Sequence, residues 1–394
     1  MTSTLGIKKI QYPNGTNSIT IDSSGSAAIT TANITTAAIT TANVTNATAT
    51  GTITTPSIND GPIGGRRNMI INGAMQVAQR GTSSTGVGAA DDYFTLDRWY
   101  CDTNGNSAGR LTMTQTAISD LPGFQNCLKF ACTTADTSIA AAERFRLEYK
   151  MEGQDAQGLA KGTSSAKSVT VSFYVKGHDS ATYTVGLYEG TTGRKIAATF
   201  PVTTSWVRQT VTFPGDTTGV IPNNNTAQLM LRFYLHGGSN YTSGTLGTSW
   251  NADGNSTQIS SSGNSIFEST SATFFLTGVQ MEVGSQATEF EHRSFAEELR
   301  LCSRYFWRQY TNGTNVIYFR DNISAAGQNI LYQYPAPPAM RINGATVTCS
   351  LTANVSVNSN TLTYHQHGAI QVYLASISGD NYLYSQDLSI NAEL

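Results

Sequence analysis

The sequence predicts an all-β protein whose centre is a β-sandwich or barrel. Three observations predict it. Short segments alternate apolar and polar residues, as where Val169, Val171, Phe173 and Val175 interleave with Thr170, Ser172, Tyr174 and Lys176; that is the period of a half-buried strand. Turn signals such as Glu189-Gly190, Thr192-Gly193 and Pro214-Gly215-Asp216 separate these segments at short intervals. Only 13% of residues are charged, about half the usual share, and Thr, Ser, Asn, Gly and Ala fill the deficit. Such a surface is polar but nearly uncharged, which suits stacked β structure. At 394 residues the chain has room for two or three domains.

At the N-terminus, Ile7, Ile10, Ile19 and Ile21 flank Pro13-Asn14-Gly15 and predict a small hairpin. Ile29, Ile34, Ile39, Val44 and Ala49 then recur every five residues. A period of five is neither helical nor that of a flat strand. One large apolar residue per repeat is too little for a single chain to bury. A pentapeptide-type solenoid would have under two coils here, too few to stand alone. A threefold shaft, with Ile29, Ile34, Ile39 and Val44 turned to a common axis, is favoured over it, and a disordered Thr/Ala/Asn linker is the third reading. Pro56 and residues 61–65 form a hinge.

The central strands follow. Beyond Val169–Val175, the sequence predicts strands through Tyr183–Leu187, Ile196–Phe200, Trp206–Phe213, Leu229–Leu235 and Phe274–Val279. Trp99 and Trp206 sit in apolar patterns and are assigned to the core. Tyr234, Tyr241 and Trp250 lie in or near a Gly/Ser/Asn-rich loop, residues 237–264, and are candidate sugar-stacking faces. Ser294-Phe295-Ala296-Glu297 is a capping box, and Phe295, Leu299, Cys302 and Phe306 follow at helical spacing. Short strands are predicted at Val316–Phe319, Ile330–Tyr334 and Ala345–Cys349, and the final segment, residues 361–374 and then 382–388, is rich in Tyr and turn residues. The proline run 335–338 cannot sit in a central strand.

Several phrases resemble bacteriophage tail fibre proteins. NMIINGAMQVAQRG (68–81), a strand by this resemblance, with YFTLDRWY (93–100) is similar to the start of the sandwich domain of those fibres. TGVQMEVGSQATEFEHRS (277–294) is similar to its end, and ELRLCSRYF (298–306) to the helix leading to a small C-terminal β domain. YPAPPAMRINGATVT (334–348) is similar to a phrase that follows this helix. The resemblance implies a jelly-roll like those of carbohydrate-binding modules. The expected architecture is therefore residues 1–65 as virion anchor and extended β shaft, 66–293 as jelly-roll sandwich, 294–310 as connecting helix, and 311–394 as a small C-terminal β-sandwich, assembled as a homotrimer.

By that resemblance the chain is expected to be a tail fibre. It would join other tail or baseplate proteins through its N-terminus and bind host-surface polysaccharide or lipopolysaccharide through its distal β domains. Tyr364, Tyr373, Tyr382 and Tyr384 are the candidate distal aromatics. His365-Gln366-His367 joins them as candidate receptor contacts. On one strand, His365 and His367 would share a face, and three such pairs could hold a transition metal on a trimer axis. Exposed histidines beside Gly368 are the commoner reading, and no metal or cofactor is assigned. The alternatives are a capsid (head) fibre, a polysaccharide depolymerase, or a bacterial surface lectin.

Other classes are read as excluded. Net charge is −2, and no basic cluster is found beyond Arg66-Arg67, read as part of a solvated linker, so no nucleic-acid partner is expected. Lys8 and Lys9 have no apolar run behind them, so no secretion signal is expected. No apolar stretch has the length to insert in a membrane. Assembly in a host cytoplasm follows, as do reduced cysteines at Cys101, Cys127, Cys132, Cys302 and Cys349. Asp91, Asp92, Asp97, Glu282, Glu289, Glu291, Glu297 and Glu298 show no spacing that demands glycoside hydrolysis, and hydrolase, zinc-peptidase and phosphate-loop motifs are absent. The chain is therefore expected not to be an enzyme.

Overall fold

The computed structural model describes residues 66–105, 107–252, 254–309, 340–341 and 388–394 with their side chains, and elsewhere the backbone of the strands named below. The chain forms two compact units, Met1–Thr54 and Thr55–Leu394. In the first, β1 (Ile10–Gln11), β2 (Ser18–Ile21) and β3 (Ala27–Ala28) form an antiparallel sheet, with Ile10 opposite Ile19. The hairpin around Pro13-Asn14-Gly15 is thus present. Ile29, Ile34, Ile39 and Val44 lie outside the described residues.

The second unit opens with eleven strands: β4 (Ser83–Val87), β5 (Trp99–Asn104), β6 (Arg110–Ala117), β7 (Asn126–Thr134), β8 (Arg144–Glu152), β9 (Val169–Gly177), β10 (Ala181–Glu189), β11 (Lys195–Val202), β12 (Val207–Phe213), β13 (Ala227–Gly237) and β14 (Thr273–Val283). They form two antiparallel sheets, ordered β11-β10-β13-β8-β5 and β12-β9-β14-β7-β6-β4. Only β6–β7 and β10–β11 are consecutive neighbours within one sheet; every other connection crosses to the opposite sheet. Inward residues of both sheets interdigitate as one core. Phe173 meets Phe200 at 5.1 Å and Phe233 at 5.0 Å, each edge to face, the arrangement that the ring quadrupoles favour. Trp99 is fully buried in this core. Trp206 is not: it lies half-buried beside β12, its Nε1 donating to Asp120 at 2.9 Å.

After a short helix α1 (Ser239–Thr242), helix α2 spans Phe295–Ser303. Ser294 caps it, accepting from the Glu297 amide at 3.3 Å. The reciprocal half of the capping box is replaced, because the Glu297 carboxylate pairs with Arg66. Arg66 also pairs with Glu291 at 3.3 Å, so it ties the domain entrance to the helix. The helical spacing of apolar residues overran the helix. Arg304 and Tyr305 bond the buried Glu152 carboxylate, which turns the chain out of the helix, and Phe306 starts a strand. Phe295, in the first turn, is 57% exposed.

The remaining strands are β15 (Phe306–Tyr310), β16 (Ile317–Ile323), β17 (Asn329–Pro335), β18 (Thr346–Asn354), β19 (Ser359–His365), β20 (Ala369–Ala375) and β21 (Gly379–Asn391). β15, β16 and β18 pair with β21, and β17-β20-β19 forms a separate sheet. Pro335 ends an edge strand, where its missing N–H costs no central ladder bond. The expected connecting helix is therefore nine residues, and residues 306–310 belong to the C-terminal sheet.

The phrases that resemble tail fibres converge on one junction. Residues 69–80 are not the strand that the resemblance implied. Asn72 and Met75 have φ of 60° and 56°, a left-handed backbone that breaks a ladder. The fully buried Asn72 amide group holds this turn: its Nδ2 donates to Val77 O at 2.8 Å and Asp97 O at 2.9 Å, and its Oδ1 accepts from Val77 N at 2.9 Å. Trp99 Nε1 donates to Asn72 O, and the Asn72 amide donates to Glu298 on α2. Gly73 is required by close approach: a Cβ there would sit 2.1 Å from Val279 O. Asn72→Ala strands several buried polar groups, each at about 1–3 kcal/mol. It is expected to lower unfolding free energy by about 3 kcal/mol in urea titration; a loss below about 1 kcal/mol would remove the junction's central role.

Candidate functional site

Strand β8 reads Arg144-Phe145-Arg146-Leu147-Glu148-Tyr149-Lys150-Met151. The period of two sends Phe145, Leu147, Tyr149 and Met151 into the core and the four charged residues to the outward face of the five-stranded sheet. Register brings partners to that face. β5 places Tyr100 opposite Glu148 and Asp102 opposite Arg146. β13 places Met230, Arg232 and Tyr234 opposite Lys150, Glu148 and Arg146. β10 adds Tyr188, Gly186 and Thr184 beyond them.

The charges form a ladder across three strands. Asp102 pairs with Arg144 and, at 3.0 Å, with Arg146. Glu148 lies 2.9 Å from Arg146 Nε and 2.8 Å from Arg232 Nε. Aromatic rings flank the ladder. The Arg232 guanidinium sits 3.7 Å from the centre of the Tyr188 ring, and Lys150 Nζ sits 3.5 Å from that of Tyr100, both within cation–π range. Gly186 lies opposite both Arg232 and Ala197. Both of these small residues are buried.

Two segments border the face. At one end the loop after β13 folds along the sheet: Ser260 N donates to Thr184 Oγ1 at 3.2 Å, and Ala197 N to Gly247 O at 2.8 Å. At the other end Tyr93 packs 4.9 Å from Tyr100, and Lys150 donates to Leu394 O at 2.9 Å. Burial drives the Tyr100 phenol well above its ordinary pKa, with Asp91 and Asp102 adding to the effect, so it stays a hydrogen-bond donor at neutral pH. Burial lowers the Lys150 ammonium. A floor of donors and acceptors between aromatic faces is chemistry suited to a polyhydroxylated ligand.

The aromatics read from the loop do other work. Tyr234 and Tyr241 are each 4% exposed. They pack with Ile259, and their hydroxyls bond Gln258 at 3.1 Å and Asn104 at 2.7 Å. These rings fasten the loop to the sheet and offer no open stacking face. Trp250 is half-buried, with Nε1 donating to Pro214 O at 2.7 Å and Lys161 Nζ 3.9 Å over its ring. A cleft of about 320 Å³ opens on the far side of the loop, lined by Asp136, Ile139, Ile259, Asn264 and Glu268 among others.

In the C-terminal strands, Tyr364 pairs with Ile370, Tyr373 with Leu331 and Thr361, Tyr382 with Arg320, and Tyr384 with Tyr318. Their side chains lie outside the described residues. β19 stops at His365, opposite Ala369; His367 lies outside the described residues. Tyr100, Asp102, Arg146, Glu148, Tyr188 and Arg232 were not singled out from the sequence. Their signal was present in β8, where every second residue is charged.

Among solved structures, the enzymatically active domain of tailspike protein 4 of bacteriophage CBA120 matches 55% of this chain and 21% of its own, at 8% identity and a TM-score of 0.29. TmCBM61, solved with β-1,4-galactotriose, matches 55% of this chain and 99% of its own, at 9% identity and a TM-score of 0.28. A family 11 carbohydrate-binding module from Clostridium thermocellum, solved with a β-1,3-1,4-mixed-linked tetrasaccharide, matches 52% and 98%, at 13% identity and 0.28. No protein-family model and no curated protein matches the sequence. Likeness at this level carries neither ligand nor assembly over to this chain.

The ladder itself is testable. Glu148→Gln leaves Arg146 and Arg232 without their shared counter-charge on a buried face, and is expected to cost about 3 kcal/mol. The double change Glu148→Leu with Arg232→Met removes both members of a pair and should cost less. Urea unfolding of both variants checks the order; a costlier double variant contradicts the ladder.

Proposed function

We propose that the chain is a structural and adhesive component of a bacteriophage particle: a homotrimeric tail fibre that joins the virion by its N-terminal residues and binds a host-surface glycan. The observation that carries the adhesive part is the outward face of the five-stranded sheet, where Tyr100 and Tyr188 flank the Arg146–Glu148–Arg232 ladder. The five-residue repeat and the tail-fibre phrases support the assembly part. Trimerisation suits adhesion through weak sites. Three linked copies raise overall avidity by orders of magnitude without a new contact.

Binding without cleavage is the reading favoured for this face. Glycoside hydrolysis needs one free carboxylic acid and one base or nucleophile flanking the bond. Asp102 and Glu148 are instead each engaged by two arginines. The virion is the proposed location.

Two measurements test the reading. Light scattering of the purified full chain should give three times the mass of one chain. Deletion of residues 29–58 should reduce that mass and leave the sandwich folded by circular dichroism; a monomeric full chain contradicts the fibre. Tyr100→Ala with Tyr188→Ala should weaken binding of fluorescent protein to host cells at least about tenfold, roughly 1.4 kcal/mol. Unchanged binding moves the receptor site off this face.

A further inference from the structure

We propose that the glycan taken by this face is anionic, a polysaccharide carrying carboxylate or phosphate groups. The inference rests on the adhesive reading above and narrows its ligand. The chain as a whole is poor in charge and carries a net −2. Its outward sheet face departs from both. On strands β5, β8 and β13, Arg144, Arg146, Lys150 and Arg232 stand against Asp102 and Glu148, an excess of two positive charges on the floor, with Asp91, Asp92 and Glu393 at its Tyr100–Lys150 border. The ion-pair ladder runs Arg144–Asp102–Arg146–Glu148–Arg232 and so begins and ends on arginine. Each carboxylate is shared, and the arginines are left under-neutralised.

Arg232 is the residue placed to meet the ligand. Its Nε donates to Glu148 at 2.8 Å, and Tyr188 covers one face of the guanidinium. No other acceptor is found among the described residues for its two terminal nitrogens, and the residue is only 6% exposed, an unpartnered donor edge at the floor of the face. A guanidinium edge presents two parallel N–H donors that match a carboxylate or phosphate, where a neutral hydroxyl satisfies only one. Tyr188 and Glu148 fix the plane, so little side-chain freedom is lost on binding. A purely structural role explains this poorly. Apolar residues of similar volume hold a sheet as well as a buried ion network does, and the other sheet presents Thr112, Thr114 and Thr116 outward on β6.

The test uses the full chain on immobilised polysaccharides. The probes are galactan beside polygalacturonate, mannan beside phosphomannan, and host-envelope polysaccharide split by anion exchange into neutral and acidic fractions. Retention of acidic members at least tenfold above their neutral partners is expected, with loss of most of that preference between about 0.05 M and about 0.5 M salt. Arg232→Gln should abolish the preference and Arg232→Lys should retain part of it. Thermal unfolding confirms that each variant is folded. The polygalacturonate and phosphomannan arms separate carboxylate from phosphate as the recognised group. If neutral members are retained equally or better, the anionic inference falls and glycan binding stands. If no polysaccharide is retained, both fall. If Arg232→Gln unfolds, the Arg232→Lys variant decides: a preference unchanged from the parent chain overturns the role of the guanidinium.

Discussion

Six hydrogen bonds converge on Asn72, a residue with no exposed surface. They bind its own turn, the backbone of Asp97, the indole of Trp99 and the carboxylate of Glu298 on α2. Asn68 and Arg293 extend the junction: Asn68 Nδ2 reaches Val279 O at 3.2 Å, and Arg293 donates to Ile70 O at 2.8 Å. This junction seats the start of the sandwich, its last strand and the helix that follows against one another. Buried polar groups are costly unless all are satisfied, so the register of β5 and β14 at this end is strongly specified. Arg98, fully buried between Glu393 and the Tyr305 ring, joins the last residues of the chain to the same place. The tail-fibre phrases are therefore a record of how the unit is closed, not of what it binds.

The binding face follows from that closure. β5 leaves the junction at Trp99, whose ring is anchored in the core, and the next residues alternate outward as Tyr100 and Asp102. Pairing of β5 with β8 then fixes which acids meet which arginines. A one-residue slip would bury the charges and expose Phe145, Leu147 and Tyr149, so register and ligand face are one constraint. The loop after β13 completes the site from the side, held by the two buried tyrosines that its composition suggested as stacking faces.

How much of this was legible depends on the range of the interaction. The strands from Val169 onward were readable because alternation and turns are local, and the Ser294 cap was readable for the same reason. β4 to β8 were passed over. β4 is Ser/Thr/Gly-rich and offers little apolar signal, but β8 alternates without a break and could have been found. Tyr234 and Tyr241 looked available because a polar loop surrounds them; their burial comes from Gln258 and Asn104, the latter more than a hundred residues from Tyr241. The helix overran to Phe306 in the reading because periodicity cannot see Glu152, which catches Arg304 and Tyr305 from another strand.

The most direct measurement of the central claim is covalent surface footprinting of the full chain, free and bound to host cells. Adhesion through the sandwich predicts protection concentrated on peptides carrying Tyr100, residues 144–150, Tyr188 and Arg232, with the outward threonines of β6 unchanged. Protection confined to residues 359–391, with the five-stranded sheet labelled as in the free protein, would contradict it and place recognition in the C-terminal strands.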